Sequence, residues 1–429
     1  MNPQAEELNQ VIREVSPAVY EMLSGRGKDI FFPKKGILGQ TAEAKGTRIN
    51  ATIGSAIEDD GSPMRLDVIA SRIHLDPSLV FPYAPSFGRP DLRSKWKSMI
   101  YAKNPSLGHT EVSLPVVTNA LTHGISIAAY LFADPGDEVL VPNLFWGNYN
   151  LTFSNGFGAN LIKFNLFKNE RFDLEAFESK LNEGKIGKKL LILNFPNNPT
   201  GYTPTQTEAD AIVSIIRNSA DRGNKIVCIV DDAYFGLVYE EGIAKESIFA
   251  QLAGIHKNVL AVKLDGATKE DYVWGFRIGF ITFGVQGGTP ELYSALESKT
   301  AGAIRGNISN VANLTQSLLY TAYASDEYDH QKKAKFANMK QRYEAVKKAL
   351  NEKKYQKYFS PLPFNSGYFM CVQLAGGINS EIVRQVLIQK YSIGTISLDN
   401  ILRLAFSSVA ASDMNALFEG IYKACEECA

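Results

Sequence analysis

Four stretches in the middle of the chain are short, apolar throughout and rich in branched side chains: 139–141, 190–193, 226–230 and 259–262. Helical stretches alternate with them. Strands sandwiched between two helix layers show no polar face, so this pattern predicts an α/β unit with a mainly parallel sheet. The ends read differently. Leu8, Val11, Ile12, Val15, Val19, Met22 and Leu23 recur at helical spacing and predict one amphipathic helix over 7–24. Helices are also expected over 331–355 and 378–390, strands at 369–372 and 401–406, and a last helix after Ser412. Together these predict a large domain over 63–329 and a smaller α+β domain built from both termini, 1–62 and 330–429.

The 429 residues suit that division, because domains commonly hold ~100–200 residues. The longest uncharged stretch, Val112 to Ala133, contains Pro115, Asn119, Thr122, His123 and Gly124. It reads as a buried strand followed by a buried helix rather than a membrane span. Lys plus Arg and Asp plus Glu both number 45. That balance gives no general pull toward nucleic acid or an anionic membrane. Any bound anion must therefore be held by local groups. The polar, acidic start and the four cysteines fit neither a secretory leader nor a disulfide framework, so the expected compartment is the cytoplasm. Cys425 and Cys428 share CxxC spacing, but without a second pair or a nearby histidine they read as incidental thiols on a helix tail. No metal site is expected.

In open α/β sheets the ligand crevice lies beyond the carboxyl ends of the strands. Chemistry-bearing residues gather just after the apolar runs. Lys269 follows the 259–262 run, with Arg277 eight residues on. A lysine there can lose its proton easily enough to act as a nucleophile, and the arginine fork suits a phosphate. Asn197-Asn198-Pro199-Thr200-Gly201 follows the 190–193 run; alone it reads as a surface turn. Asp231-Asp232-Ala233-Tyr234 follows the 226–230 run; alone, its acids read as a helix cap.

As an ordered set these residues resemble the fold-type I enzymes that use pyridoxal 5′-phosphate, and within them the aspartate and aromatic amino-acid aminotransferases. The matching residues are Asn198-Pro199-Thr200-Gly201, Asp231-x-Ala233-Tyr234, Lys269 and Arg277. Pro142-x-x-x-Trp146-Gly147-Asn148, Tyr83-Ala84-Pro85-x-x-Gly88, Ile304-Arg305-x-x-x-Ser309-Asn310 and Arg403 extend the likeness over most of the chain. The resemblance implies a homodimer with shared active sites and an exchange of amino groups between amino acids and 2-oxo acids.

It also implies roles. Lys269 would join the cofactor aldehyde covalently and later shuttle a proton. Asp231 would pair with the protonated ring nitrogen, and Tyr234 and Asn198 would bond the phenolic oxygen. Trp146 would lie on the ring face. Arg277, Thr268, and the helix start at Ala120 and Leu121 would hold the phosphate, joined by Tyr83 of a second subunit. Arg403, with Thr52, Asn198 and Trp146 nearby, would receive the substrate α-carboxylate, and Arg305 a distal carboxylate from across the dimer. Tyr149, Gly266 and Thr52 depart from the aspartate pattern: they stand where a histidine, a serine and a glycine are common. A lyase, decarboxylase or synthase on the same fold stays open as an alternative outcome. A DNA-binding regulator lacks a helix-turn-helix pair, and a dinucleotide enzyme lacks its glycine signature.

Overall fold

The computed structural model describes residues 1–34 and 36–429. The chain opens with α1 (Pro3–Val15) and α2 (Pro17–Met22). The single helix expected over 7–24 is thus two helices. Pro17 disfavours helical geometry at the residue before it, and Ser16 is extended at φ −150° and ψ 91°. The apolar side is not covered within the chain: Val15 is 81% exposed and Met22 80%.

Helix α3 (Pro90–Lys103) leads to β1 (Val116–Asn119), which runs directly into α4 (Ala120–Phe132). The uncharged stretch is therefore the strand and helix expected of it. The sheet continues with β2 (Glu138–Pro142), β3 (Asn160–Phe164), β4 (Lys188–Asn194), β5 (Lys225–Asp231) and β6 (Val259–Asp265). A short helix, α5 (Ala267–Glu270), then precedes β7 (Ile278–Gly284). The seven strands are ordered β1-β7-β6-β5-β4-β2-β3. β2 to β6 pair in parallel, while β7 is antiparallel to both β1 and β6. Successive side chains enter opposite apolar layers: Leu190 and Ile192 face one, Leu191 and Leu193 the other. That double burial is why the runs carry no polar face.

Helices α6 (Pro290–Asn307), α7 (Asn313–Tyr323) and α8 (Glu327–Leu350) connect to a second, antiparallel sheet. It comprises β8 (Phe359–Pro361), β9 (Phe369–Leu374), β10 (Ile396–Leu398) and β11 (Ile401–Ala405), ordered β8-β9-β11-β10. Helices α9 (Ser380–Val386) and α10 (Met414–Cys428) pack against each other beside it. Ile49 and Asn50 pair with Ile393 and Gly394, which ties the first part of the chain to the last. All four cysteines are free, and Cys425 is buried in α10. Among the described residues no helix is long and apolar enough to cross a membrane, and no cluster of potential ligands could hold a metal ion.

Candidate active site

Strand register sets the floor of the site. Asn194 pairs with Asp231, and Asp231 with Leu264, so the ends of β4, β5 and β6 lie level. The Asn194 amide donates to the Asp231 carbonyl at 2.8 Å, and its oxygen accepts the Asn198 N–H at 2.8 Å. Asn197 accepts both the Thr200 N–H and hydroxyl. Gly201 closes the loop at φ +73°, where a Cβ would come within 1.9 Å of the Phe369 carbonyl oxygen. The 197–201 segment is thus a buried loop sealed onto the start of β9, not a surface turn.

Asp231 and Asp232 cap no helix. The Tyr149 hydroxyl donates to Asp231 at 2.5 Å and the Ala233 N–H donates at 3.1 Å. Burial pushes the Asp231 carboxyl above its ordinary value despite these donors and despite the Lys269 ammonium. A cation at this acid would offset the cost of burying it. Asp232 instead pairs with the buried Lys263, which also lies 3.3 Å from Asp265.

Lys269 sits on α5, with its amine 5.1 Å from the centre of the Tyr234 ring. Burial lowers the amine to about 8; Asp231 works against that shift and Arg277 adds to it. Tyr234 is buried, and burial raises its hydroxyl, with Arg403 opposing.

Beside the lysine the backbone is crowded. Ala120, at the start of α4, adopts φ +61°, and Arg277 adopts φ +55°. Among the described residues no side chain caps the first turn of α4. A Cβ at Gly279 would lie 2.7 Å from the Ala120 carbonyl carbon and 3.0 Å from the Leu121 nitrogen. A Cβ at Gly266 would meet the Ile278 carbonyl oxygen at 2.6 Å. Here the serine expected from the resemblance has no room. Thr268 is buried, and its hydroxyl lies 3.4 Å from the Ile278 carbonyl. The uncapped helix start near Lys269 and Arg277 suits a phosphate.

Arg403 projects from β11 and is buried. It donates to the Thr52 carbonyl at 3.1 Å and approaches the Asn198 side chain at 3.5 Å. Its guanidinium lies 4.4 Å from the Phe369 ring centre. Among the described residues its Nε has no partner and no acid pairs with it, so the structural ion pair that would otherwise explain it is not there. Trp146 packs edge-to-face on Tyr149 at 5.9 Å. Two expected residues lie apart from this group within the chain. Tyr83 is 91% exposed, and Arg305 is exposed, its guanidinium donating to Ser309 at 2.7 Å.

Three further residues around the lysine do not stand out in the sequence pattern. The Tyr368 hydroxyl donates to the Lys269 carbonyl at 3.0 Å, and both Glu270 and Asp271 are buried. A run of three charged residues so soon after a buried strand was the available signal.

A buried acid, a lysine with a lowered proton affinity, a buried arginine with no acid paired to it among the described residues and an uncapped helix start together fit pyridoxal 5′-phosphate and a carboxylate. Comparison with known proteins agrees. Residues 55–421 match the family model for aminotransferase class I and II, and the chain belongs to that family of pyridoxal-phosphate enzymes. It is 29% identical over 201 residues to an aspartate aminotransferase of Pinus pinaster, which covers 46% of this chain and 38% of that protein. It is 24% identical over 325 residues to the cytoplasmic aspartate aminotransferase of Caenorhabditis elegans, covering 73% and 76%. The crystal structure of an aminotransferase from Anaerococcus prevotii superposes with a TM-score of 0.82 at 22% identity, over 94% of this chain and 99% of that one.

Proposed function

We propose that the protein is an aminotransferase that moves an amino group between an L-amino acid, dicarboxylic or aromatic, and a 2-oxo acid in two successive half-reactions. The observation that carries this reading is Arg403, a buried arginine with no acid paired to it among the described residues, 3.5 Å from the Asn198 of the predicted cofactor pocket. Burying such a charge is costly unless an anion arrives. A substrate carboxylate is such an anion, and its amino group would then face Lys269.

Pyridoxal 5′-phosphate supplies an aldehyde that takes up the amino group and a ring that accepts the electron pair left at Cα. The protein's residues do the rest. Asp231, held by Tyr149, would keep the ring nitrogen protonated. Tyr234 and Asn198 would donate to the phenolic oxygen, and Trp146 would cover one ring face. Arg277, Thr268 and the backbone at Ala120 and Leu121 would hold the phosphate. Lys269, once displaced by substrate, would carry the proton from Cα; its amine, lowered to about 8, exchanges a proton readily near neutral pH.

The same reading makes the protein a cytoplasmic homodimer. The exposure of Tyr83 and Phe81, at 91% and 82%, supports a second subunit covering them, with Tyr83 reaching its phosphate. Arg305 would bind a distal carboxylate there.

The test has two stages. Borohydride reduction of the purified protein, followed by peptide mapping, is expected to leave a pyridoxyl group on Lys269. In a separate, unreduced sample, single amino acids are expected to shift the cofactor band to the near-ultraviolet and a 2-oxo acid to return it. A label on another lysine overturns the site. Loss of carbon dioxide or ammonia without that reversible shift overturns transamination in favour of a lyase, decarboxylase or synthase.

A further inference from the structure

Lys269 is followed by two buried acids. Glu270, with a side chain 6% exposed, lies between two ammonium groups: Lys103 of α3 at 2.6 Å and Lys332 of α8 at 2.5 Å. Asp271 is fully buried. It accepts the Tyr323 hydroxyl of α7 at 2.6 Å and the Tyr328 hydroxyl of α8 at 2.5 Å, and Lys332 lies 3.3 Å away. Two carboxylates, two ammonium groups and two phenols thus form one network whose acids are buried and whose lysines are partly exposed. Its charges cancel, and it grips the residues after the lysine from three helices.

The backbone is held as well. Tyr368 bonds the Lys269 carbonyl, and the Asp271 N–H donates to the Ala267 carbonyl at 2.9 Å. Tyr272 adopts φ +58°, a region an aromatic residue occupies when its surroundings enforce it. A network that only stapled helices together could sit anywhere along them. This one is built on the two positions that follow the lysine.

We infer that Glu270 and Asp271 are positioning residues: they fix the turn that aims the Lys269 amine at the Asp231–Tyr234 pocket. By staying neutral overall, the network leaves that amine's proton affinity to Asp231 and Arg277. The inference rests on Lys269 being the cofactor lysine. The charged groups acting on the amine itself are Asp231 and Arg277. Those facing the two acids are Lys103 and Lys332, with the phenols of Tyr323 and Tyr328.

The test is a pH titration of the visible cofactor band in the holoenzyme. Glu270→Gln leaves two ammonium groups against one acid, an excess positive charge one residue along the chain from the lysine. The midpoint is expected to fall by roughly 0.5 pH, as for one added charge screened at protein-like dielectric. The loosened turn is expected to lower kcat about tenfold with KM changed less than about twofold. Lys332→Met must shift the midpoint the opposite way, and this variant answers the question if Glu270→Gln fails to fold. The pair Glu270→Gln with Lys332→Met is expected to return the midpoint to wild type while thermal stability stays low. Single variants with wild-type midpoints and kcat, or shifts of the same sign, overturn the inference. A wild-type holoenzyme labelled elsewhere by borohydride overturns the Lys269 assignment before any variant is compared.

Discussion

The Tyr149 hydroxyl lies 2.5 Å from the Asp231 carboxylate, and both side chains are buried beneath the tips of the central strands. Burial and the adjacent acid hold the phenol well above its ordinary titration range. It is therefore a fixed donor across working pH, unlike the histidine common at this position. Tyr149→Phe keeps the ring and removes the donor. A hydrogen bond to a charged group contributes about 1.5–3 kcal/mol, so cofactor affinity should weaken about 10- to 100-fold. Equilibrium binding of pyridoxal 5′-phosphate to the apoprotein checks this; an unchanged dissociation constant would remove the role.

The Lys269 amine, lowered to about 8 from 10.5 chiefly by burial, gives the apoprotein a distinct pH dependence. The neutral amine is the nucleophile, so covalent capture of the cofactor should speed up as pH rises, with a midpoint near 8. Arg277→Gln removes a neighbouring positive charge and should move that midpoint upward. The sign for stability follows from the same values. Between 8 and 10.5 the unfolded chain binds the proton and the folded one does not, so the apoprotein should gain stability as pH rises through that window. Stopped-flow capture and thermal melts read the two effects. A capture midpoint near 10.5 contradicts the burial argument.

Gly279 lies against the start of α4, and a Cβ there would sit 2.7 Å from the Ala120 carbonyl carbon. That neighbour is backbone and cannot rotate away. Gly279→Ala should displace the helix start, with an overpacking cost of about 1–3 kcal/mol. If the start holds a phosphate, pyridoxal 5′-phosphate should lose affinity and unphosphorylated pyridoxal should not. Parallel binding measurements separate the cases, and equal losses for both ligands count against a phosphate site.

Much of this was legible in the sequence, for reasons that differ by element. Strands β4 and β5 were visible because both faces are buried, which leaves an unbroken apolar signal. Strand β7 is as apolar, yet patterning did not single it out; its antiparallel direction depends on the short path from α5, which composition does not encode. The helix expected over 7–24 failed at Pro17, a local veto that outweighs periodicity. At the site, Lys269, Asp231 and Asn198 each stand at or just after a strand end; alone, the last two read as a helix cap and a surface turn, and only the ordered set pointed to a shared site. The loop at 197–201 could not be judged buried, because Gly201 is sealed by Phe369, far away in the chain. The partners of Glu270 and Asp271 are equally remote, on α3, α7 and α8.

Arg403 is buried, with no acid paired to it among the described residues, so binding and folding should respond oppositely to its removal. Arg403→Leu replaces an uncompensated charge with an apolar side chain, and the apoprotein should melt at the same temperature or higher. Transition-state binding should weaken by about 3–5 kcal/mol, seen as a loss in kcat/KM. A variant that melts earlier and keeps kcat/KM would make the arginine structural.

Arg305 poses the sharper question of which amino acids are used. It is exposed within the chain and bonded to Ser309, so Arg305→Leu should leave the unfolding free energy within about 0.5 kcal/mol of wild type. If a second subunit buries the guanidinium against a substrate's distal carboxylate, loss of the charge costs that substrate about 3–5 kcal/mol of transition-state binding. Aspartate and glutamate should then suffer, while phenylalanine and alanine react at wild-type rates. Half-reactions with each amino acid, followed by absorbance, give the comparison directly. Equal loss for charged and neutral side chains would exclude the distal-carboxylate role. Unchanged rates for all four would place the arginine outside the site and leave dicarboxylate recognition to other residues.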